Sequence, residues 1–172
     1  LEAEFEAGTG YKPNKADWLD GRWSGMKAAD LLEDPRRGNT GVEVAKLKDI
    51  GAKITAVPEG FRVHRTIQRF LENRRKAIET GSDIDWATAE ALAFCTILKE
   101  DNRVRLSGQD CERGTFTQRH SVLFDQEDES RYTPFNHLGG EQANYEVLNS
   151  SLSEEAVLGF EYGYSLAEPN SL

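Results

Sequence analysis

Apolar residues recur at helical spacing in two long stretches of the chain. Between His64 and Thr80, the residues Ile67, Phe70, Leu71, Ala77 and Ile78 share one helix face, and Gly81 follows as a stop. Between Ser82 and Glu100, a stripe of Ile84, Ala87, Ala91, Phe94, Cys95 and Leu98 runs beside a second one of Trp86, Ala89, Ala93 and Ile97. Two apolar faces predict a largely buried helix, capped by Ser82 or Asp83. A shorter helix is expected after the Thr40/Glu43 capping-box pair, with Val44 and Leu47 inward and Gly51 ending it. A last helix should run from about Ser153 to Ala167, ending near Pro169. Leu1 to Glu6 reads as the last turns of a helix stopped by Gly8.

Alternation replaces the helical period in two places. Arg103 to Gly108 reads as a strand with Val104 and Leu106 on one side, and Tyr145 to Asn149 as a second. Pro58 to Gly60 is a turn and Asp34 to Asn39 a turn-rich linker, while Trp18, Leu19 and Trp23 are apolar anchors in a loop. Helix, strand, long loop, strand, helix predicts an α/β fold, mostly helices around an incomplete parallel sheet. Two strands are too few to cover such apolar helices, so the chain reads as part of a larger domain, truncated at both ends. Residues 1–60 are expected to be an inter-domain linker and approach, and residues 61–172 the N-terminal part of the folded domain.

Composition narrows the function classes. With 172 residues, 38% hydrophobic and 30% charged, the chain can build one ordinary core. No apolar run approaches the roughly 20 residues of a membrane span. A net charge of −9 lacks the basic stripe that nucleic-acid binding needs. Two cysteines make no disulfide framework; Cys95 is expected in the core and Cys111 partly exposed in a polar loop.

Candidate chemistry gathers where strands end, because ligands of open α/β sheets bind outside the strands' carboxyl ends. Glu154 follows the second strand, where a carboxylate between a strand and an apolar helix is costly to bury. Its alternative role, shared with Glu155, is to offset the helix dipole. Gln109 and Asp110 follow the first strand and mark a site edge. Beyond them Arg113, Arg119 and His120 can contact an anionic ligand or can hold an irregular loop by its carbonyls. Arg74, Arg75 and Lys76 read as a solvated helix face, with a basic binding patch as the alternative. His64, His120 and His137 form no metal-binding motif, and no G-x-S-x-G elbow is present. Glu154 and Glu155 point about 100° apart on a helix, which does not suit a glycosidase pair.

Two strings carry a family resemblance. Arg105-Leu-Ser-Gly-Gln-Asp-Cys-Glu-Arg-Gly-Thr-Phe-Thr-Gln-Arg-His120 and Asn149-Ser-Ser-Leu-Ser-Glu-Glu-Ala-Val-Leu-Gly-Phe-Glu-Tyr-Gly-Tyr164 resemble the E1 components of 2-oxoglutarate dehydrogenase complexes. The resemblance extends back through Lys15-Ala-Asp-Trp-Leu-Asp-Gly-Arg-Trp23. It implies part of the pyrimidine-binding domain of a thiamine-diphosphate enzyme. It implies oxidative decarboxylation of 2-oxoglutarate with reductive succinylation of a lipoyl group on the E2 partner, dihydrolipoyl succinyltransferase. By this resemblance Glu154 hydrogen-bonds the cofactor's aminopyrimidine and favours its imino tautomer. Leu152 props the cofactor, unless it is an ordinary core leucine. Gln109 and Asp110 line the cofactor pocket, and His120 meets substrate. The Mg2+ ligands are expected outside these residues, the parent is expected to be a homodimer, and this stretch alone is expected to be inactive. The location implied is cytoplasmic in a bacterium and the mitochondrial matrix in a eukaryote. The sequence also admits two other readings: another 2-oxo acid dehydrogenase E1 or transketolase relative, and a non-catalytic interaction module docking through residues 11–36.

Overall fold

The computed structural model describes residues 2–10, 24–25 and 39–169. Trp18, Leu19, Trp23 and residues 34–38 of the expected linker lie outside the described residues. Residues 40–158 form one compact unit, and residues 1–39 with 159–172 a second.

The compact unit is built mainly from three helices. Helix α2 is Val44–Ile54, α3 is Arg65–Thr80 and α4 is Trp86–Lys99. α1, in the other unit, is Glu2–Gly10. It passes through Gly8 without stopping, since one interior glycine costs only about 1 kcal/mol. Helix α3 begins at His64, whose side chain accepts from the Thr66 amide, and ends on left-handed Gly81 at φ 71°. α4 starts later than expected: Asp85, not Ser82 or Asp83, caps it by accepting the Thr88 amide at 2.7 Å.

Gly51 does not end α2. It lies buried within it, and a Cβ built there would sit 2.5 Å from Cγ2 of Ile78 on α3. Its missing side chain is what lets the two helices approach. The Thr40/Glu43 box does not form either; Glu43 is the N-cap without a side-chain cap bond, and Val44 is 64% exposed.

Strand β1, Val104–Gly108, pairs in parallel with β4, Tyr145–Asn149, as the sequence predicts. The register runs from Val104 opposite Tyr145 to Gly108 opposite Asn149. The connection between them is not an α-helix. It holds a small antiparallel ribbon of β2, Leu123–Phe124, and β3, Arg131–Tyr132, then a 3-10 turn at Pro134–Asn136. Asp125 fixes the ribbon by accepting the Arg62 and Glu127 amides, each at 2.7 Å, and those bonds hold its carboxyl below the usual range.

The core lies where α2, α3, α4 and the sheet converge: Ile50, Ile54, Ile78, Cys95, Leu98 and Phe135 are buried. Only one of the two apolar stripes of α4 is covered. Ala87, Ala91, Cys95 and Leu98 are buried, whereas Trp86 is 87% exposed and Ile97 39%. The elements packed on α4 within its unit reach one side of it. Helix α5, Glu154–Ala167, follows β4 with no buried residue, although the sequence marks it as apolar. The arrangement is α/β, with helices around a small open parallel sheet.

Candidate functional site

The parallel register decides which loops meet. Because Gly108 stands opposite Asn149, the chain leaves both strands at the same carboxyl edge. Ser150 N donates to Gly108 O at 2.8 Å, and Glu112 N donates to Asn149 Oδ1 at 3.1 Å. These bonds tie the loop after β1 to the loop after β4. Gln109 and Asp110 therefore share an edge with the segment that leads to Leu152 and Glu154.

Ser153 caps α5, its Oγ accepting the Ala156 amide at 3.2 Å, so Glu154 opens the first turn. The carboxylate expected to be buried is exposed here, and Leu152 is 79% exposed. Leu158, one turn further on, is 71% exposed. Gln109 is exposed as well. Asp110 adopts a positive φ of 51° and receives Arg113 through Nη2 at 2.5 Å and Nε at 3.1 Å.

The segment from Asp110 to Ser121 is held from inside. Arg119 forms a fork on Glu90 of α4, Nε to Oε1 at 2.7 Å and Nη2 to Oε2 at 3.1 Å, and gives Nη1 to the Cys111 carbonyl at 3.0 Å. Arg74 of α3 donates to the carbonyls of Gln118 and Arg119. The sequence reading of Arg74 as solvated is overturned: it is 3% exposed, while Arg75 and Lys76 are exposed. It follows Phe70 and Leu71 at helical spacing, which is the signal that could have marked it. Cys111, expected to be partly exposed, is buried at 6% beneath this loop. Burial raises its thiol pKa, with Arg119 opposing.

His120 ends the segment, buried at 8% with φ 47°. Its ring meets Phe70 edge-on at 5.0 Å. Burial lowers its pKa, a backbone hydrogen bond with Thr117 opposes this, and Arg74 and Arg113 push further down. The shift favours the neutral imidazole. It lines a cavity of about 200 Å³ with Val63, His64, Ile67, Arg113, Val122, Leu123, Phe124 and Gln126. Sequence distance hid that His64 and His120 line one cavity. Neither Glu154, Leu152, Gln109 nor Asp110 lines that cavity; Arg113, bound to Asp110, is the link between the two places. Among the described residues no group of three or more His, Cys, Asp or Glu is placed to hold a metal ion.

Comparison with known proteins identifies relatives and a family. Over its full length the chain is 63% identical to proteins described as 2-oxoglutarate dehydrogenase E1 component from Brucella canis, Brucella suis and Brucella abortus. It spans 17% of the length of these relatives. Residues 82–172 match the model of the family described as transketolase, pyrimidine binding domain. That match begins just before α4 and takes in β1, β4 and the loops at their shared edge. The chain belongs to the transketolase pyrimidine-binding domain family.

Proposed function

We propose that this chain supplies the pyrimidine-facing part of a thiamine-diphosphate site in an E1 component of a 2-oxoglutarate dehydrogenase complex. The parent reaction is oxidative decarboxylation of 2-oxoglutarate with reductive succinylation of the lipoyl group on dihydrolipoyl succinyltransferase. The observation that carries the reading is the in-register pairing of β1 with β4, which delivers the loops of Gln109–Asp110 and Leu152–Glu154 to one carboxyl edge. The relatives' names favour 2-oxoglutarate over other 2-oxo acids.

The residues at that edge fit the cofactor's ring. A carboxyl group able to share a proton with a ring nitrogen stands at Glu154, and an apolar side chain, Leu152, stands two residues before it with most of its surface uncovered. When bound, the cofactor supplies the electron sink that 2-oxo acid decarboxylation requires. Glu154 would hold the proton shared with the ring nitrogen, and Leu152 would pack against the ring system. Gln109 and Asp110 close the edge, Asp110 being fixed by Arg113. His120, backed by Phe70, would face substrate. Mg2+ and the diphosphate belong to residues outside this chain, and the site is completed in a homodimer. The named relatives are bacterial, which favours the cytoplasm.

The test is a Glu154→Gln variant of the full-length enzyme, assayed on 2-oxoglutarate and on pyruvate. The amide keeps the shape and loses the shared proton, so turnover should fall about 10²- to 10⁴-fold with folding retained. Near-normal turnover would remove Glu154 from the mechanism. Pyruvate as the better substrate of the parent enzyme would move the assignment to another 2-oxo acid dehydrogenase.

A further inference from the structure

We infer that Arg74 is a positioning residue for His120: it holds the two peptide carbonyls immediately before His120 and, through Phe70, the surface on which the imidazole rests. The inference deepens the proposal above and rests on its reading of His120 as a substrate-facing side chain.

Arg74 Nη1 donates to Arg119 O at 3.2 Å and Nη2 to Gln118 O at 3.1 Å. One planar fork thus meets consecutive carbonyls, which a lysine ammonium does poorly. The same guanidinium lies over the Phe70 ring, 4.3 Å from its centroid, and that ring meets His120 at 5.0 Å and 65°. Arg74 therefore grips His120 from two sides, through the backbone before it and through the aromatic ring beside it.

The backbone needs such a grip. Thr117 and His120 both adopt positive φ, at 60° and 47°, a region that non-glycine residues occupy only when their surroundings hold them there. Arg119, between them in sequence, is anchored separately through its side chain on Glu90. That leaves Glu90 committed to another cation. Among the described residues no carboxylate lies within ion-pair distance of Arg74; Asp85 and Glu90 act on it from further off, and its buried Nε donates to no protein acceptor. Burial lowers its pKa to about 10, so it is still a cation at neutral pH. A buried cation with no carboxylate in direct contact is a poor way to stabilise a helix packing surface; an apolar side chain of similar volume would do better. What the arginine provides, and an apolar residue would not, is a fixed pair of donors for the turn that presents His120.

The test is a double-mutant cycle in the full-length enzyme with Arg74→Gln, His120→Ala and the double variant. kcat and KM for 2-oxoglutarate are measured together with the dissociation constant of thiamine diphosphate. Arg74→Gln should lower kcat/KM about 10- to 100-fold, the scale of a misplaced contact group, and leave cofactor affinity unchanged. The double variant should fall no further than His120→Ala alone, because Arg74 acts only through that side chain. Additive losses, or a loss that follows cofactor affinity, would overturn the inference and leave Arg74 a purely structural residue. Wild-type kinetics in a folded Arg74→Gln protein, beside a defective His120→Ala, would overturn it while sparing the His120 reading. Wild-type kinetics in His120→Ala would overturn both. Should Arg74→Gln fail to fold, Arg74→Lys carries the cycle. It keeps the charge but not the fork, and should show a smaller loss of about 3-fold or more that disappears in the His120→Ala background.

Discussion

Gly51→Ala tests the central packing claim, because sequence and structure give it opposite signs. As the end of a helix, or on its exposed surface, the site would welcome alanine, whose helix preference over glycine amounts to about 0.5–1 kcal/mol. In the structure the new methyl would stand 2.5 Å from Cγ2, 3.0 Å from Cδ1 and 3.2 Å from Cβ of Ile78. Ile78 is 5% exposed and β-branched, so its Cγ2 cannot swing aside by a distal rotation. Overpacking costs about 1–3 kcal/mol, and a contact this close falls in the upper half of that range, which leaves a net loss of roughly 1–2 kcal/mol after the helix gain. In urea, with a slope of about 2 kcal/mol/M, the midpoint should fall by roughly 0.5–1 M with the slope unchanged. Unfolding followed by far-ultraviolet circular dichroism reads this directly. Adding Ile78→Ala removes Cγ2 and Cδ1, so the penalty of alanine at position 51 should largely vanish in that background. A midpoint that rises in the single variant would show that α2 and α3 do not approach at Gly51.

Three further outcomes follow from the same geometry. Burial pushes the Asp85 carboxyl up, but the Thr88 hydrogen bonds and Arg74 outweigh it and hold the pKa below the ordinary value. A lowered folded-state pKa gives stability that is complete above the unfolded value of about 4 and fades as pH falls through the folded one, so the stability gap between wild type and Asp85→Asn should be constant near neutrality and close in acid; a gap that widens in acid would refute it. Burial pushes the Cys95 thiol up to about 12, with Arg74 opposing, and raises Cys111 less far; both should resist a thiol reagent at pH 8 until denaturant is added, and rapid native labelling would contradict their placement. Glu154→Gln and the Arg74 cycle, measured side by side, should separate: the first lowers turnover by about 10²- to 10⁴-fold at any substrate concentration, whereas the second leaves cofactor binding intact.

The regular parts of the fold were legible because their periodicity is strong and local. α3 and β4 appear within a residue of their expected bounds, and β1 differs only at its first residue. The β2–β3 ribbon was not legible, since strands of two residues carry no period to read. What holds it is a pair of amide bonds to Asp125, one from Arg62, far off along the chain. Gly51 was misread for a related reason. A glycine that ends a helix and a glycine that admits a neighbouring helix look alike in one dimension, and only Ile78 on α3 separates them.

The candidate site shows where such reading stops in principle. Glu154, Gln109 and Asp110 could be placed at strand ends because a parallel pair fixes where its loops emerge. Arg74 could not, because its acceptors are carbonyls 44 and 45 residues away in an irregular loop, and no hydrophobic pattern records a carbonyl. The pattern also overstated what this chain covers by itself. It marks every residue suited to burial, whereas the elements packed around a helix cover only the faces that they reach. Trp86 and Ile97 on α4, and Leu152 before α5, carry that excess. An apolar side chain that stays exposed beside a carboxylate at a strand end is therefore informative in both directions. It limits what the fold owes to that residue, and it leaves the residue free to owe its identity to the chemistry at the sheet's carboxyl edge.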